Sequence, residues 1–307
     1  LTIYGQEGRT GKLISPNNLQ VNTYSGVYGG ASIGADGDQP TGNITINCAY
    51  VEATTTKAGG ACIGSGGWDS TGGTVTANGA YLKLQDTGSG YGSGEGAFGV
   101  ATVTLNDCVI EFVYGRMTQM TSINNASKTG LVLTKKNTDS NMTGTVYGNA
   151  TLWQDYTIPS DATLTVTSGN SLTVPDGVTL HNGGTINNEG HVYKEEGGTI
   201  TGNSFTKAWE APPVYLTITE FSYEVPYGDT TAKNITIKNT GALSATINNV
   251  TVTDGEFEIV TGNYTSIDSG NTDTSWKIKP KTVLTAGEHT ATITVIYSGQ
   301  GVSSKTT

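Results

Sequence analysis

The chain has 307 residues, a formal charge of −10, 14% charged residues and 43 glycines. Its length predicts about two domains, because single cores stop growing near 250–300 residues, and its Thr, Gly, Asn and Ser content favours strands and turns over helices. Only two arginines are present, Arg9 and Arg116, and no apolar run of 18 residues; this argues against a nucleic-acid binder, a protein held on an anionic membrane surface, and a membrane-spanning chain.

The first residues, Leu1-Thr2-Ile3-Tyr4-Gly5, read as a strand and not as a leader, so a mature piece of something longer is expected. A repeat follows. Gly29-Gly30-Ala31-Ser32-Ile33-Gly34 returns as Gly59-Gly60-Ala61-Cys62-Ile63-Gly64. Each copy leads through a loop into an alternating strand: Ile44-Thr45-Ile46-Asn47, then Val75-Thr76-Ala77-Asn78, then Val103-Thr104-Leu105-Asn106. A second short apolar strand comes after each Asn: Ala49-Tyr50-Val51, Ala80-Tyr81-Leu82 and Cys108-Val109-Ile110. Successive asparagines are 31 and 28 residues apart.

A period of this length fits one coil of a parallel β-helix, which cannot bury its apolar side alone and shares a core with coils stacked about 4.8 Å away. Ile44, Val75 and Val103 should then lie above one another inside, and Asn47, Asn78 and Asn106 should form an amide ladder. Ala31 and Ala61 suit crowded corners beside Ile33 and Ile63. The odd set Cys48, Cys62 and Cys108 reads as small buried thiols and not as a disulfide framework. Residues 115–143 fit the period least, with 117–127 an inserted loop. From about 144 the units shorten to strands every 8 to 12 residues, expected as the last coils of the same solenoid.

Trp209, Glu210 and Pro212-Pro213 interrupt this pattern. Beyond them, strands expected at 215–219, 221–225, 234–239, 244–252, 257–261, 275–278 and 290–297 match a sandwich of immunoglobulin type. The expected architecture is all-β: a right-handed parallel β-helix over 1–207 and an immunoglobulin-like β-sandwich over 213–307.

The two Gly-Gly-Ala blocks and their Gly-x-Ile/Val-Thr strands resemble repeats in large, adhesin-like surface proteins of gut Firmicutes. Leu172 to Gly202, with Ile186-Asn187-Asn188-Glu189-Gly190, is similar to the β-helical tail of such proteins, and Ile237-Lys238-Asn239-Thr240-Gly241 with Ile278-Lys279-Pro280 and Leu284-Thr285-Ala286-Gly287 to the sandwich modules that follow it. The resemblance implies an extracellular protein of the cell surface or cell wall, attached through regions outside this chain, with polysaccharide or host glycoprotein as ligand.

Candidate chemistry is sparse. Sugar recognition needs flat aromatic faces beside polar groups. Trp68 in a Gly-rich loop is the first candidate, with Tyr28 and Tyr91 in comparable loops. Tyr50 and Tyr81 share one phase and should stack, on a face the sequence leaves open. Asp36, Asp38 and Asp69 lie at nearby phases where stacking could gather carboxylates for calcium, the alternative being solvated turn residues; no other cofactor is expected. Gly94-Glu95-Gly96-Ala97-Phe98-Gly99 matches a dinucleotide pattern but leads into a strand. His181, His191 and His289 have no zinc spacing, and no nucleophile triad stands out. A non-catalytic, carbohydrate-binding surface module is therefore the leading expectation, ahead of a structural stalk without a ligand. A polysaccharide lyase or hydrolase is a further alternative, which a cleft lined with carboxylates and a basic residue would revive.

Overall fold

Alternating apolar and hydroxyl residues make Ile44–Asn47, Thr74–Asn78 and the start of Thr102–Tyr114 into strands with one buried face. In the computed structural model these strands pair in parallel, with Ile44 opposite Val75 and Val75 opposite Val103. The structure describes residues 1–5, 12–16, 31–37, 40–56, 60–66, 72–88, 96–220, 222, 224, 226–253, 255–264, 266–282, 284–299 and 302–306. Two compact units are present, Leu1–Glu210 and Ala211–Thr307.

In the first unit, two further parallel ladders accompany the first. Lys12–Pro16, Tyr50–Thr55, Tyr81–Asp86 and the second half of Thr102–Tyr114 form one; Ile33–Gly37, Ala61–Gly66 and Gly96–Gly99 form the other. Ile44, Val75, Leu82, Phe98, Ile110 and Phe112 are buried in a common core. The expected amide ladder is present: Asn106 donates to Asn78 and Asn78 to Asn47, both at 2.8 Å. After each Asn the chain turns through a left-handed residue, Cys48 (φ 49°), Gly79 (φ 53°) and Asp107 (φ 48°). Such a φ is unfavourable for Cys and Asp by themselves, and the side-chain ladder before each corner helps to hold it.

Residues 115–143 differ from expectation. The region read as an inserted loop holds a 3-10 turn, Met117–Met120, and a short helix, Thr121–Asn125. Ser127–Lys136 then pairs in parallel with Thr102–Tyr114, but Met142–Tyr147 pairs with Ser127–Lys136 in the antiparallel sense. The later strands are therefore not a plain continuation of the first set, because the chain reverses at 137–141. They form three more parallel ladders: Met142–Tyr147 with Ala162–Val166 and Thr185–Asn188; Asn149–Thr151 with Ser171–Val174 and His191–Lys194; Tyr156–Ile158 with Thr179–Asn182 and Thr199–Gly202.

This reversal creates a second core on the far side of a shared wall. Along Thr102–Tyr114, Ile110 and Phe112 enter the first core and Val109 the second; along Ser127–Lys136, Val132 enters the first and Leu131 and Leu133 the second. Strands covered on both faces need near-continuous apolar runs, which explains Cys108-Val109-Ile110-Glu111-Phe112 and Leu131-Val132-Leu133. Residues 203–210 stay bonded to the unit, since Glu210 donates its amide to Val192 and accepts from that of Lys194. The first unit thus runs past residue 207.

The second unit is antiparallel. Its sheets are Leu216–Ile218, Ile237–Asn239 and Thr272–Asp273; Lys233–Asn234, Lys277–Pro280 and Phe257–Val260; and Ser266–Ile267, Ala245–Val252, Ile293–Gly299 and Val302–Thr306. Ile237, Ile247, Trp276, Val295 and Tyr297 fill the core. Asn239, fully buried, donates to the Leu243 and Ile267 carbonyls at 2.9 and 2.7 Å and accepts the Gly241 amide at 2.9 Å.

Candidate functional site

The outward residues of three neighbouring strands make a polar floor. Pairing places Lys12, Tyr50, Tyr81 and Val109 in one row; Ile14, Glu52, Lys83 and Glu111 in the next; and Thr54, Gln85, Val113 and Lys135 in a third. Because side chains alternate along a strand, each row is separated from the next by one inward residue. The middle row alternates acid, base and acid across the strands, the arrangement that stabilises cross-strand neighbours.

Where this floor meets Met142, Pro159 and Asp161 from beyond the chain reversal, a trough of about 290 Å³ opens. Its polar lining includes Glu52, Lys83, Gln85, Glu111, Lys135 and Asp161. Lys135 bridges to Asp161 at 3.1 Å. Glu111, only 9% exposed, accepts the Tyr81 hydroxyl at 2.7 Å and that of Tyr156 at 2.9 Å on the same oxygen, Oε1. Burial first, then Glu111, holds the Tyr81 phenol above its ordinary range, and the same causes act on Tyr156. Both phenols therefore stay protonated and donate to Glu111.

Tyr50 and Tyr81 are both half-buried and meet edge to face, ring centres 4.7 Å apart; Tyr81 meets Tyr156 in the same way at 5.5 Å. The face left open by the sequence is thus the outer one, half covered by the second set of strands. At the far end, Lys12 bridges to Glu52 at 3.0 Å and sits 4.5 Å from the Tyr50 ring centre. The Lys12 contact holds the Glu52 carboxyl below its usual range, while burial raises the Tyr50 phenol.

Of the residues singled out in the sequence, Tyr50 and Tyr81 come together and flank the trough. Trp68, Tyr28, Tyr91, Asp38 and Asp69 lie outside the described residues, as does the side chain of Asp36, whose backbone belongs to Ile33–Gly37. Among the described residues no three His, Cys, Asp or Glu side chains gather as metal ligands. The Gly96–Gly99 part of the dinucleotide look-alike is a strand. Sequence reasoning missed Glu111, Tyr156, Lys83, Lys135 and Asp161. Glu111 left one signal, a single acid inside an apolar run, whereas the others lie far apart in the chain and have no motif. No protein-family model, no curated protein and no solved structure matches this chain.

Proposed function

We propose that this chain is a non-catalytic, extracellular surface module of the adhesin kind, and that the trough beside Glu111 holds carbohydrate. The architecture that fits this reading is a right-handed parallel β-helix followed by an immunoglobulin-like sandwich. Support for the first part comes from the parallel ladders, because crossovers between parallel strands of one sheet are right-handed almost without exception. Antiparallel pairing throughout the second unit supports the other part. The surface location and a Firmicutes-type source rest on the resemblance of the Gly-Gly-Ala blocks.

One observation carries the ligand: a half-buried tyrosine pair beside a floor that alternates Glu52, Lys83 and Glu111. Each sugar hydroxyl both donates and accepts, so a vicinal pair suits a floor where a cation and a carboxylate stand side by side. An adjacent aromatic can cover the apolar face of the ring. A glycan array read with and without calcium, followed by titration of the best ligand, tests this. Lys83→Ala should weaken binding about tenfold, the loss of one charge-assisted hydrogen bond of roughly 1.4 kcal/mol. If no glycan binds at all, the chain is better read as a stalk.

A second reading, a polysaccharide lyase or hydrolase, is favoured by the presence of Glu52, Asp161 and Lys83 in one trough. Against it, Oε1 of Glu111 already takes two phenols and Lys135 is paired with Asp161. Release of reducing ends or of unsaturated uronate from polysaccharide would decide for the enzyme.

A further inference from the structure

The short helix of the first unit stands at the end of the ladder Ile33–Gly37, Ala61–Gly66, Gly96–Gly99, where a fourth strand would continue the series. Instead of a backbone carbonyl, the Phe98 amide finds the Ser122 hydroxyl at 3.2 Å. A Cβ added to Gly96 would lie 2.0 Å from the Gln119 carbonyl oxygen, so the 3-10 turn rests directly on the strand.

Both ends of this segment are fixed. Buried Gln119 accepts the Gly115 and Arg116 amides at 2.8 Å each, and Lys128 donates to the Ile123, Asn124 and Ala126 carbonyls at 3.0, 3.1 and 3.3 Å. Ile123 anchors the helix in the core. A helix is about 10 Å across, whereas a strand occupies about 4.8 Å of a sheet. Putting one in place of the other leaves a notch beside it.

That notch is a groove of about 670 Å³. Its apolar lining comes from half-buried Val100 and exposed Ala101, above buried Phe98, Val103 and Ala126. The rim includes Thr102 and Ser127 on one side and Thr118 and Asn125 on the other, all four exposed. Among the described residues these four side chains hold no hydrogen bond, and none of those that line the groove is charged.

We infer that this groove is a binding site for a neutral oligosaccharide. Its volume falls in the ordinary range for ligand sites, about 300–1,000 Å³. An apolar base meets the C–H face of a sugar, and hydroxyl and amide groups on the rim meet its hydroxyls. The described lining, without charge, gives no counterpart to a uronate or an amino sugar, whose desolvated charge would be left unpaired. The inference rests on the carbohydrate reading but concerns a different surface from the Glu111 trough.

The test compares two proteins by calorimetric titration with neutral and with uronic-acid oligosaccharides: the wild type and Asn125→Trp, which fills the groove. Ser127→Tyr serves as a second filling variant, and far-UV circular dichroism checks that each variant is folded. A neutral oligosaccharide bound by the wild type, but at least tenfold weaker in both filling variants, is the expected result. If neutral ligands bind but neither filling variant weakens them, the inference is overturned while the carbohydrate reading stands. Binding of acidic ligands alone has the same meaning. Binding of no oligosaccharide overturns both.

Discussion

The two halves of the first unit use the same parallel pairing with different amounts of chain. In residues 1–136 equivalent side chains hydrogen-bond across 31 and 28 residues; in residues 142–210 they do so across 22 and 20. The second half turns tightly, as at Pro159-Ser160-Asp161 and Pro175-Asp176-Gly177, where Ala162 and Val178 donate back to the Pro159 and Pro175 carbonyls. The first half has chain to spare, and it includes a helix where a strand would serve. Both grooves described above draw on first-half residues. The parallel ladders keep their register, and both grooves lie where that regularity is interrupted.

The sharpest way to break the comparison is to attack the wall that the halves share. Phe112→Ala on the first-core face and Leu133→Ala on the second-core face each remove a fully buried side chain. We expect losses of about 3–5 and 2–5 kcal/mol respectively, with all of residues 1–210 melting in one calorimetric transition in either variant. Two separated transitions within that unit would show that the halves are independent. The next effect belongs to the polar seam. Glu111→Ala leaves the Tyr81 and Tyr156 hydroxyls without their acceptor, at a cost of about 2–4 kcal/mol. Glu111→Gln, which keeps an acceptor oxygen, should lose clearly less in urea melts.

The smallest expected effect is confined to the first half and is read through pH. Asp86 is fully buried; its Oδ1 accepts the Gly88 amide at 3.1 Å and its Oδ2 has no partner among the described residues. Burial pushes this carboxyl up to about 7, against the opposing pull of the Gly88 and Gly96 amides and of Arg116. An unfolded aspartate titrates near 3.9, so between about pH 4 and 7 the folded chain holds the extra proton. The stability from this group is complete below pH 4 and is lost as pH rises through 7. Asp86→Asn should flatten that part of the profile and raise stability at pH 8 by about 1–3 kcal/mol. An unchanged pH slope in the variant would rule out Asp86 as its source.

Much of this fold can be read from spacing alone. Ile44, Val75 and Val103, and the three asparagines after them, announce their pairing because parallel strands in register repeat the same environment at each layer. What spacing cannot convey is a change of direction. The turn 137–141 carries ordinary turn residues, Asn137, Asp139 and Asn141, yet nothing local says that the next strand will run backwards. Glu111 and Tyr156 are 45 residues apart and meet only because of that reversal. The helix at Thr121–Asn125 was hidden for another reason. Thr, Ser and Asn are weak helix formers, and this helix is stabilised by Ile123, Gln119 and Lys128 through tertiary contacts and not by propensity. In the second unit, the strand Val302–Thr306 and the role of buried Asn239 also escaped a reading based on alternation.

The shared wall has a consequence for how such a chain can change over generations. A protein made of separable modules can lose, gain or exchange a piece at the border between two cores. Here that border is a pair of strands with Phe112 on one side and Leu133 on the other, so a cut on either side strips one face of the wall. Insertions are tolerated where layers meet through loops, but a crossover near residue 136 would give two halves that each expose a core-sized apolar surface. Residues 1–210 should therefore tolerate exchange only as one block, because both cores lean on the same pair of strands.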